Sequence, residues 1–439
     1  MKNSYEKLAQ VYSDELFGSI LPYWMKRGID KEFGGFFTCF SNDGATLLGE
    51  HKFTWSQGRF VWMLARLYRK MADRVEPEAA QAWLDAAREG ADFLMKYSRL
   101  ASGNCAFTLD RQGVPVLLDG EGNARPAEEG EDYDQSISAD YFVIYGLGEY
   151  AAASGSREAY DFAFDLFDNV LARLESGNYR TDPYPVPQGY KTHGRPMINM
   201  ETAQELADIA AQFGEADTEA RMRAIAASSA ADIMGNFRRT DERVILEMIG
   251  TDNQPVDTIL GSYINPGHTI EDMWFMMHWA DRAGDKKLFE DAAETVRWAL
   301  EIGWDKEYGG IPQFLDKSGE APRGNVPSEL ESHEMVRKLR SNWSNKLWWP
   351  HSEAIYALAL AYERLEQPWM EEWLWRVHDY TMATFPNPDR ELGEWIQIRD
   401  RQGKPESKVV ALPVKDPFHI TRALLLALPV VEKLAEKKG

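Results

Sequence analysis

The 439-residue sequence predicts an all-α fold in which paired helices close into a ring. Two observations support this prediction. Apolar residues recur at helical spacing in about twelve segments, many of which come in pairs. A unit of helices and a Gly-Gly turn also recurs along the chain, and repetition by a closing rotation produces an inner and an outer ring of helices. We therefore predict one domain over residues 1–439, with an open solenoid as the structural alternative.

The helices are predicted from apolar residues at positions i, i+3, i+4 and i+7. In chain order, the predicted ranges are 4–27, 55–73, 77–98, 136–153, 156–175, 199–213, 217–236, 268–283, 286–303, 346–365, 369–384 and 419–436. Glycine, proline or charged residues interrupt the helical pattern at 100–135, 184–198 and 320–342. We predict that these three stretches are loops around one rim of the ring.

Short β-hairpins are predicted between some of the helices. Segment 30–36 recurs as segment 305–311 with its Gly-Gly pair in the same place, and a looser copy spans 390–395. A strand-like run and a turn follow the first two copies, at 42–44 and 317–319. Alternation of apolar and polar residues around such turns is typical of hairpins.

Charge and composition exclude several classes of protein. Acidic residues number 70 against 49 basic ones, and a net charge of −21 disfavours nucleic acid and anionic membranes as partners. No apolar run reaches the roughly 18 residues that a membrane span needs. Cys39 and Cys105 lie far apart in sequence and are expected to be thiols in a reducing cytoplasm. A small uncharged molecule suits this composition better than a polyanion does.

Two of the eight histidines stand out, because His268 and His419 each follow a proline-containing loop and begin a helix. Glu271 lies one turn after His268, where a carboxylate can orient the imidazole and fix its tautomer. Two imidazoles from distant parts of the chain can flank a bound molecule and exchange protons with it. A histidine packed at a helix start is the alternative for each. Neither has metal-binding spacing, and no metal is expected.

Arg59 lies near the start of a predicted helix, together with Trp55 and Gln57. A guanidinium that is always protonated can hold the oxygen of a developing enolate. We predict that Arg59 has this role and that Trp55 and Gln57 contact the substrate. The alternative is a solvated or salt-bridged arginine.

A second aromatic segment contains Trp348, Trp349, His351 and Glu353. Indole faces can stack on the apolar faces of sugars, and carboxylates accept hydrogen bonds from hydroxyl groups, so we predict that these four residues bind substrate. Packing of the indoles in the core is the alternative. A glycine-rich phosphate loop and a Gly-x-Ser-x-Gly nucleophile motif are absent from the sequence, while glycosidase-like carboxylate pairs stay open.

From about residue 5 to residue 436, the chain resembles the N-acylglucosamine 2-epimerase family, also known through the renin-binding protein. Five motifs in the family's order carry this resemblance, at 34–39, 55–59, 265–271, 346–353 and 418–419. The resemblance implies an (α/α)6 barrel and an isomerase that interconverts sugars differing at C2 without consuming a redox cofactor. By the same resemblance, His268 and His419 are the proton-transfer pair, Arg59 holds the sugar oxygen, and Glu271 and Glu353 support the site.

The resemblance also bears on specificity. Cellobiose 2-epimerases and mannose isomerases have a further histidine where this chain has segment 196–201, which lacks one. This departure favours interconversion of N-acylglucosamine and N-acylmannosamine. The alternatives are a mannose, glucose or cellobiose 2-epimerase, a mannose–fructose isomerase, and a non-catalytic sugar-binding or interaction protein. No cofactor is expected, but similar proteins are often homodimers and some respond to ATP, which leaves a homodimer and an allosteric nucleotide open.

Overall fold

The computed structural model describes residues 4–438, which contain twelve long helices. The first is continuous through α1 (Tyr5–Ser13), a π-helical stretch (Asp14–Ile20) and α2 (Leu21–Arg27). The others, with two shorter helices, are α3 (Thr54–Met71), α4 (Pro77–Tyr97), α5 (Ile137–Ser154), α6 (Arg157–Ser176), α7 (Gly194–Gln212), α8 (Ala216–Asp232), the short α9 (Ile259–Ser262), α10 (Pro266–Ala283), α11 (Lys286–Gly303), the short α12 (Glu334–Asn342), α13 (Trp348–Leu365), α14 (Pro368–Thr384) and α15 (Phe418–Lys438). A second π-helical stretch (Ile233–Phe237) extends α8, and two 3-10 turns span Ala72–Arg74 and Ser328–Leu330.

Six of these helices form a closed inner ring. In the order α3, α5, α7, α10, α13 and α15, each contacts the next, and α15 contacts α3. The helices α1, α4, α6, α8, α11 and α14 pack outside them, each against a neighbour in the inner ring. The fold is the predicted (α/α)6 barrel, and ring closure rules out the open solenoid.

Apolar patterning explains which helices lie inside. On α5, 14 of 18 residues are buried, including both charged ones, whereas α11 has a single buried face of 9 residues in 18. A helix buried on all sides belongs in the inner ring, and an amphipathic helix belongs in the outer one. The contact of α3 with α5 is so close that a side chain at Gly58 would lie 2.0 Å from the carbonyl oxygen of Phe142. Gly58 therefore brings the neighbouring Arg59 close to α5.

The strands are two or three residues long and pair in antiparallel couples. Four couples tie the strand in front of an inner helix to a strand further along the chain: β1 (Lys52–Phe53) with β2 (Thr108–Leu109), β5 (Tyr190–Thr192) with β8 (Met248–Gly250), β9 (Tyr263–Ile264) with β10 (Leu315–Asp316), and β11 (Lys346–Leu347) with β12 (Ile398–Arg399). Two are local hairpins: β3 (Leu117–Leu118) with β4 (Ala124–Arg125), and β6 (Arg238–Arg239) with β7 (Val244–Ile245). The predicted turn at 317–319 is present, but β10 before it pairs with β9, in front of α10.

The repeated Gly-Gly segments have the same structure and a structural role. The carboxylates of Asp30 and Asp305 each accept hydrogen bonds from the backbone N–H groups two and three residues later. Each carboxylate also pairs with a buried lysine, Lys52 at 3.0 Å and Lys346 at 3.2 Å. Both glycines of each copy have φ between 71° and 78°, a backbone conformation that favours glycine. The repeat therefore fixes the strands that lead into α3 and α13.

Two of the three predicted loops contain helix. The chain begins α7 at Gly194, inside the stretch 184–198, because Pro196 lies in the first turn, where its missing N–H would have no helical acceptor. The stretch 320–342 contains α12, which buries Met335, Val336 and Leu339. Both cysteines are free and buried. Among the described residues, no helix is long and apolar enough to cross a membrane.

Candidate active site

A cavity of about 290 Å³ lies at the end of the barrel where the six inner helices begin. Every inner helix contributes residues from its first turns, among them Arg59, Tyr141, Glu201, His268, Trp349 and His419. Because all six helix N-termini converge here, their dipoles make this end of the ring favourable for an anion. The cavity is therefore suited to a reaction in which negative charge develops on a bound molecule.

His268 begins α10 and lines the cavity. Asn265 caps this helix by accepting a hydrogen bond from the His268 backbone N–H at 3.2 Å. The Nδ1 atom of His268 lies 2.7 Å from Oε1 of Glu247, a residue between β7 and β8. Burial on its own would lower the pKa of His268, but the Glu247 carboxylate outweighs burial and the pKa is raised. The imidazole of His268 therefore favours its protonated form.

Glu247 is itself held by a second histidine. His193 lies with Nδ1 3.6 Å from Glu247 and with Nε2 2.7 Å from the buried Asp272. Although burial opposes its charge, these two carboxylates raise the pKa of His193 to about 10. Burial would raise the pKa of Glu247, but the two imidazoles lower it to about 2. Glu247 is thus a carboxylate at neutral pH, and it orients His268 and favours its protonated form.

His419 begins α15 and lines the same cavity, with only 7% of its side chain exposed. Its Nδ1 lies 2.7 Å from Oε1 of Glu353, which also accepts a hydrogen bond from Arg422 at 2.6 Å. Burial, with the cations Arg59 and Arg422, lowers the pKa of His419 to about 3 against the opposing effect of Glu271. Because Glu353 accepts from Nδ1, the neutral imidazole has a free lone pair on Nε2.

The two imidazoles contact the same indole. The ring centroids of His268 and His419 each lie 5.4 Å from that of Trp349, at interplanar angles of 41° and 37°. Trp349 lines the cavity and offers an apolar surface beside both rings. The site therefore holds two imidazoles whose pKa values are shifted in opposite directions next to one aromatic surface, and such a difference in pKa distinguishes a general acid from a general base.

Arg59 lines the cavity and pairs with Asp416 at 2.5 Å. Its guanidinium carbon lies 4.1 Å from the ring centroid of Phe142 and 5.2 Å from that of Trp55, which also lines the cavity. The Nε of Arg59 and the indole Nε1 of Trp348 are buried and lack a hydrogen-bond partner within residues 4–438. Both are donors that a bound oxygen can satisfy.

Glu271 lines the cavity, but the predicted pairing with His268 is wrong. Its Oε1 accepts a hydrogen bond from Arg422 and lies 3.7 Å from Nδ1 of His419. The carboxylate beside His268 is that of Glu247, not that of Glu271 as predicted from the sequence. Glu271 is only one helical turn from His268, but the imidazole of His268 is oriented by Glu247, which lies on a different segment of the chain.

The structure places Gln57, His351 and Glu353 outside the cavity wall, which contradicts direct contact with substrate. The amide of Gln57 is fully buried and bonds to the backbone N–H and C=O of Phe36 at 2.7 and 2.8 Å. Glu353 is fully buried behind His419 and also accepts from the indole of Trp274 at 2.8 Å. These residues support the site from behind.

His351 has a structural role as well. Its Nδ1 lies 2.6 Å from the carbonyl oxygen of Leu347, and its Nε2 accepts from the backbone N–H of Ile311 at 2.9 Å. Burial lowers the pKa of His351 to about 3, so the ring stays neutral and both of its nitrogens are used. His351 therefore fastens one Gly-Gly segment to the start of α13.

Four polar residues at the site were missed by sequence reasoning. Asp416 and Arg422 lie three residues before and after His419. This spacing places them within one turn of His419, so they could have been predicted as neighbours of this histidine. Glu247 and Glu201 had no local signal. Burial and Glu205 raise the pKa of Glu201, a carboxyl group on the cavity wall, to about 8, which favours its protonated form.

Fold and site together define a class, the (α/α)6-barrel enzymes with a polar, aromatic-lined cavity at the N-terminal end of the inner helices. Within this class, the chain belongs to the N-acylglucosamine 2-epimerase (GlcNAc 2-epimerase) family, whose sequence profile matches residues 35–423. It is accordingly an isomerase. The family predicted from the five sequence motifs is confirmed.

Named relatives cover almost the whole chain. N-acylglucosamine 2-epimerase of Mus musculus is 31% identical over 432 residues, which are 95% of this chain and 90% of the relative. Cellobiose 2-epimerase of Ruminococcus albus is 24% identical, over 92% of this chain and 94% of the relative.

Solved structures share the fold at lower identity. The cellobiose 2-epimerase of Bacillus thermoamylovorans superposes with a TM-score of 0.75 at 18% identity, covering 97% of this chain and 99% of that one. A D-mannose isomerase superposes with a TM-score of 0.73 at 16% identity, covering 96% and 97%. These likenesses show the barrel architecture.

Proposed function

We propose that the protein interconverts N-acylglucosamine and N-acylmannosamine by inverting C2 of the ring-opened sugar. The relatives near 30% identity are N-acylglucosamine 2-epimerases, which supports this substrate class. One structural observation carries the mechanism: His268 and His419 line a single cavity, and their surroundings drive their pKa values in opposite directions. Inversion at a carbon needs a base on one face and an acid on the other, and this pair supplies both.

The proposed reaction begins with the neutral imidazole of His419. The C1 carbonyl of the opened sugar acidifies the hydrogen on C2, and Nε2 of His419 removes it as a proton. Arg59 and the Trp348 indole N–H hold the C1 oxygen of the resulting enolate, which is an enediolate when C2 carries a hydroxyl group. The imidazolium of His268 then donates a proton to the opposite face of C2. Proton exchange with solvent resets both rings after product release.

Turnover in deuterated water tests this proposal. N-acetylmannosamine should yield N-acetylglucosamine with deuterium at C2, because the proton delivered by His268 comes from solvent. NMR follows both the epimer and the label. Absence of turnover of this sugar, or formation of fructose from mannose, rejects the assignment.

Replacement of His419 by Asn should lower kcat by orders of magnitude with an unchanged circular dichroism spectrum. Unchanged turnover in this variant would remove His419 from the mechanism, whereas absence of turnover by the wild type with every sugar tested would favour the non-catalytic sugar-binding alternative.

The second candidate is a 2-epimerase of mannose, glucose or cellobiose, or a mannose–fructose isomerase. The Ruminococcus albus relative, named a cellobiose 2-epimerase, matches over most of the chain and supports this candidate. The chemistry differs only in where the proton returns, since protonation of the same intermediate at C1 gives a ketose. Product analysis with N-acetylmannosamine, mannose and cellobiose separates the candidates.

Two further expectations accompany the proposal, a homodimer and a cytoplasmic location; no consumed cofactor is expected, and an allosteric response to a nucleotide stays open. Light scattering of the purified protein measures the oligomeric state. Activity measured with and without ATP tests the nucleotide, and cell fractionation tests the location. A monomer or a membrane-associated protein would contradict the respective expectation, and an unchanged rate would exclude the response to ATP.

A further inference from the structure

Gln313 is a buried polar residue of the cavity wall without an assigned role. Its side chain lines the cavity, and 3% of the residue is exposed. Within the described part of the chain, its Oε1 has no hydrogen-bond partner. A buried amide oxygen is normally paired, so one left unpaired on a cavity wall indicates that a ligand supplies the donor.

Backbone pairing places Gln313 between two of the helices that form the site. Its N–H donates to the carbonyl oxygen of Asn345 at 2.9 Å, just before β11 and α13. Two residues later, Leu315 pairs with Ile264, just before α10. Gln313 therefore lies beside the starts of the helices that carry Trp349 and His268.

An apolar surface adjoins Gln313 in the same cavity. Met248, Tyr263, Phe314 and Met335 all line the cavity and belong to one packed cluster. Met335 comes from α12, and Met248 directly follows Glu247, the partner of His268. The wall near His268 thus combines a buried glutamine amide, whose oxygen has no partner within the described residues, with an apolar surface.

We propose that Gln313 accepts a hydrogen bond from the N–H of the substrate's 2-acylamino group and that the surface formed by Met248, Phe314 and Met335 holds the acyl chain. This inference rests on the proposed function, because an acylamino group is attached to C2, the carbon that must lie between His268 and His419. A substrate amide has one N–H and one C=O, and the glutamine amide is complementary to it in either orientation. A 2-hydroxy sugar leaves the apolar surface uncovered.

Two variants of the full-length protein test the two halves of the inference. Gln313→Leu removes the acceptor without removing a hydrogen bond that the protein itself makes. We expect it to lower kcat/KM by about tenfold or more, through KM, for N-acetyl-, N-propanoyl- and N-butanoylmannosamine alike. Met335→Ala shortens the wall, so we expect kcat/KM for the butanoyl sugar to rise severalfold relative to the acetyl sugar.

Controls separate recognition from folding. Gln10→Leu changes an exposed glutamine on α1, and Leu339→Ala changes a residue of α12 that is buried outside the cavity. Neither should alter the order of preference among the acyl sugars, although Leu339→Ala should lower the thermal midpoint. Wild-type kcat/KM for Gln313→Leu, or an unchanged acyl preference for Met335→Ala, overturns the inference and leaves the proposed function standing. Failure of the wild type to turn over any N-acylmannosamine overturns both.

Discussion

Replacing Glu247 by Gln tests the assignment of His268 as the proton donor. The glutamine amide has nearly the shape of the carboxylate, and its oxygen can still accept a hydrogen bond from Nδ1 of His268, which lies 2.7 Å from Oε1 of Glu247 in the wild type. The substitution therefore removes the charge while keeping the hydrogen bond. Without that charge, burial determines the pKa of His268 and lowers it, so the ring loses its proton at a lower pH.

The size of the effect follows from the geometry. A hydrogen bond of 2.7 Å puts the two charge centres about 4 Å apart, where unit charges attract by about 4 kcal/mol at an effective dielectric constant of about 20. One pKa unit corresponds to about 1.4 kcal/mol, so the pKa of His268 falls by at most about three units. We expect one to three units, hence a loss of kcat/KM of about tenfold to about a thousandfold where His268 becomes deprotonated.

The assay is the pH dependence of kcat/KM for N-acetylmannosamine, followed by NMR. In the wild type, activity should be lost only as pH rises through the raised pKa of His268. In Glu247→Gln the same loss should begin at lower pH. The matched control is Glu301→Gln. It removes a surface carboxylate that pairs with Arg243 at 2.9 Å. An alkaline limb at the wild-type position, or an equal loss at every pH, would refute the assignment.

Three other substitutions have distinct expected results. His268→Asn leaves the proposed base His419 in place, so NMR should show that one epimer exchanges its C2 hydrogen with deuterated water without inversion. Inversion at the wild-type rate would contradict the two-base mechanism. Arg422→Met removes the cation that is bonded to the buried Glu271 and Glu353 and should lower the free energy of unfolding in urea by about 3–5 kcal/mol. An unchanged value would contradict the contribution of these ion pairs. Gln57→Leu should cost about 2 kcal/mol of stability, because two backbone groups of Phe36 lose their partner, and leave KM unchanged. A raised KM at unchanged stability would restore the original substrate-binding prediction.

The barrel was predictable because its helices have strong periodicity and its repeat is visible in the sequence. All twelve predicted helices are present, and α7 alone begins well before its predicted start. Proline and glycine at 194–196 were read as a loop, although a first helical turn tolerates both. On α12, the spacing of Met335 and Leu339 and the capping His333 were usable signals, but the helix has only nine residues and lies in a charged stretch. Short helices of this kind depend on tertiary packing.

Residue type and local position found the groups that line the cavity but not their partners. Arg59, His268, Trp349 and His419 were recognised because each lies near the start of an inner helix, and inner helices all begin at the same end of a barrel. Glu247 lies 21 residues before His268 on a segment held by the β5–β8 pairing, which no local pattern reveals. Whether a residue faces the cavity or lies behind it likewise depends on the neighbouring element.

The same dependence explains how two histidines in similar local settings differ in protonation. Each follows a proline-containing loop, begins a helix and has its Nδ1 2.7 Å from a carboxylate, but burial with Arg59 and Arg422 lowers the pKa of His419, whereas Glu247 outweighs burial at His268. A pKa of about 3 makes His419 a weak base, and in the proposed reaction negative charge on the bound intermediate offsets this. As the enolate forms beside Arg59, its charge offsets the guanidinium that keeps the pKa of His419 low, and Glu353 and Glu271 then favour the imidazolium. In the proposed mechanism, deprotonation of C2 and strengthening of the base are therefore coupled through Arg59, which would give this arginine a second effect on the reaction besides holding the oxygen.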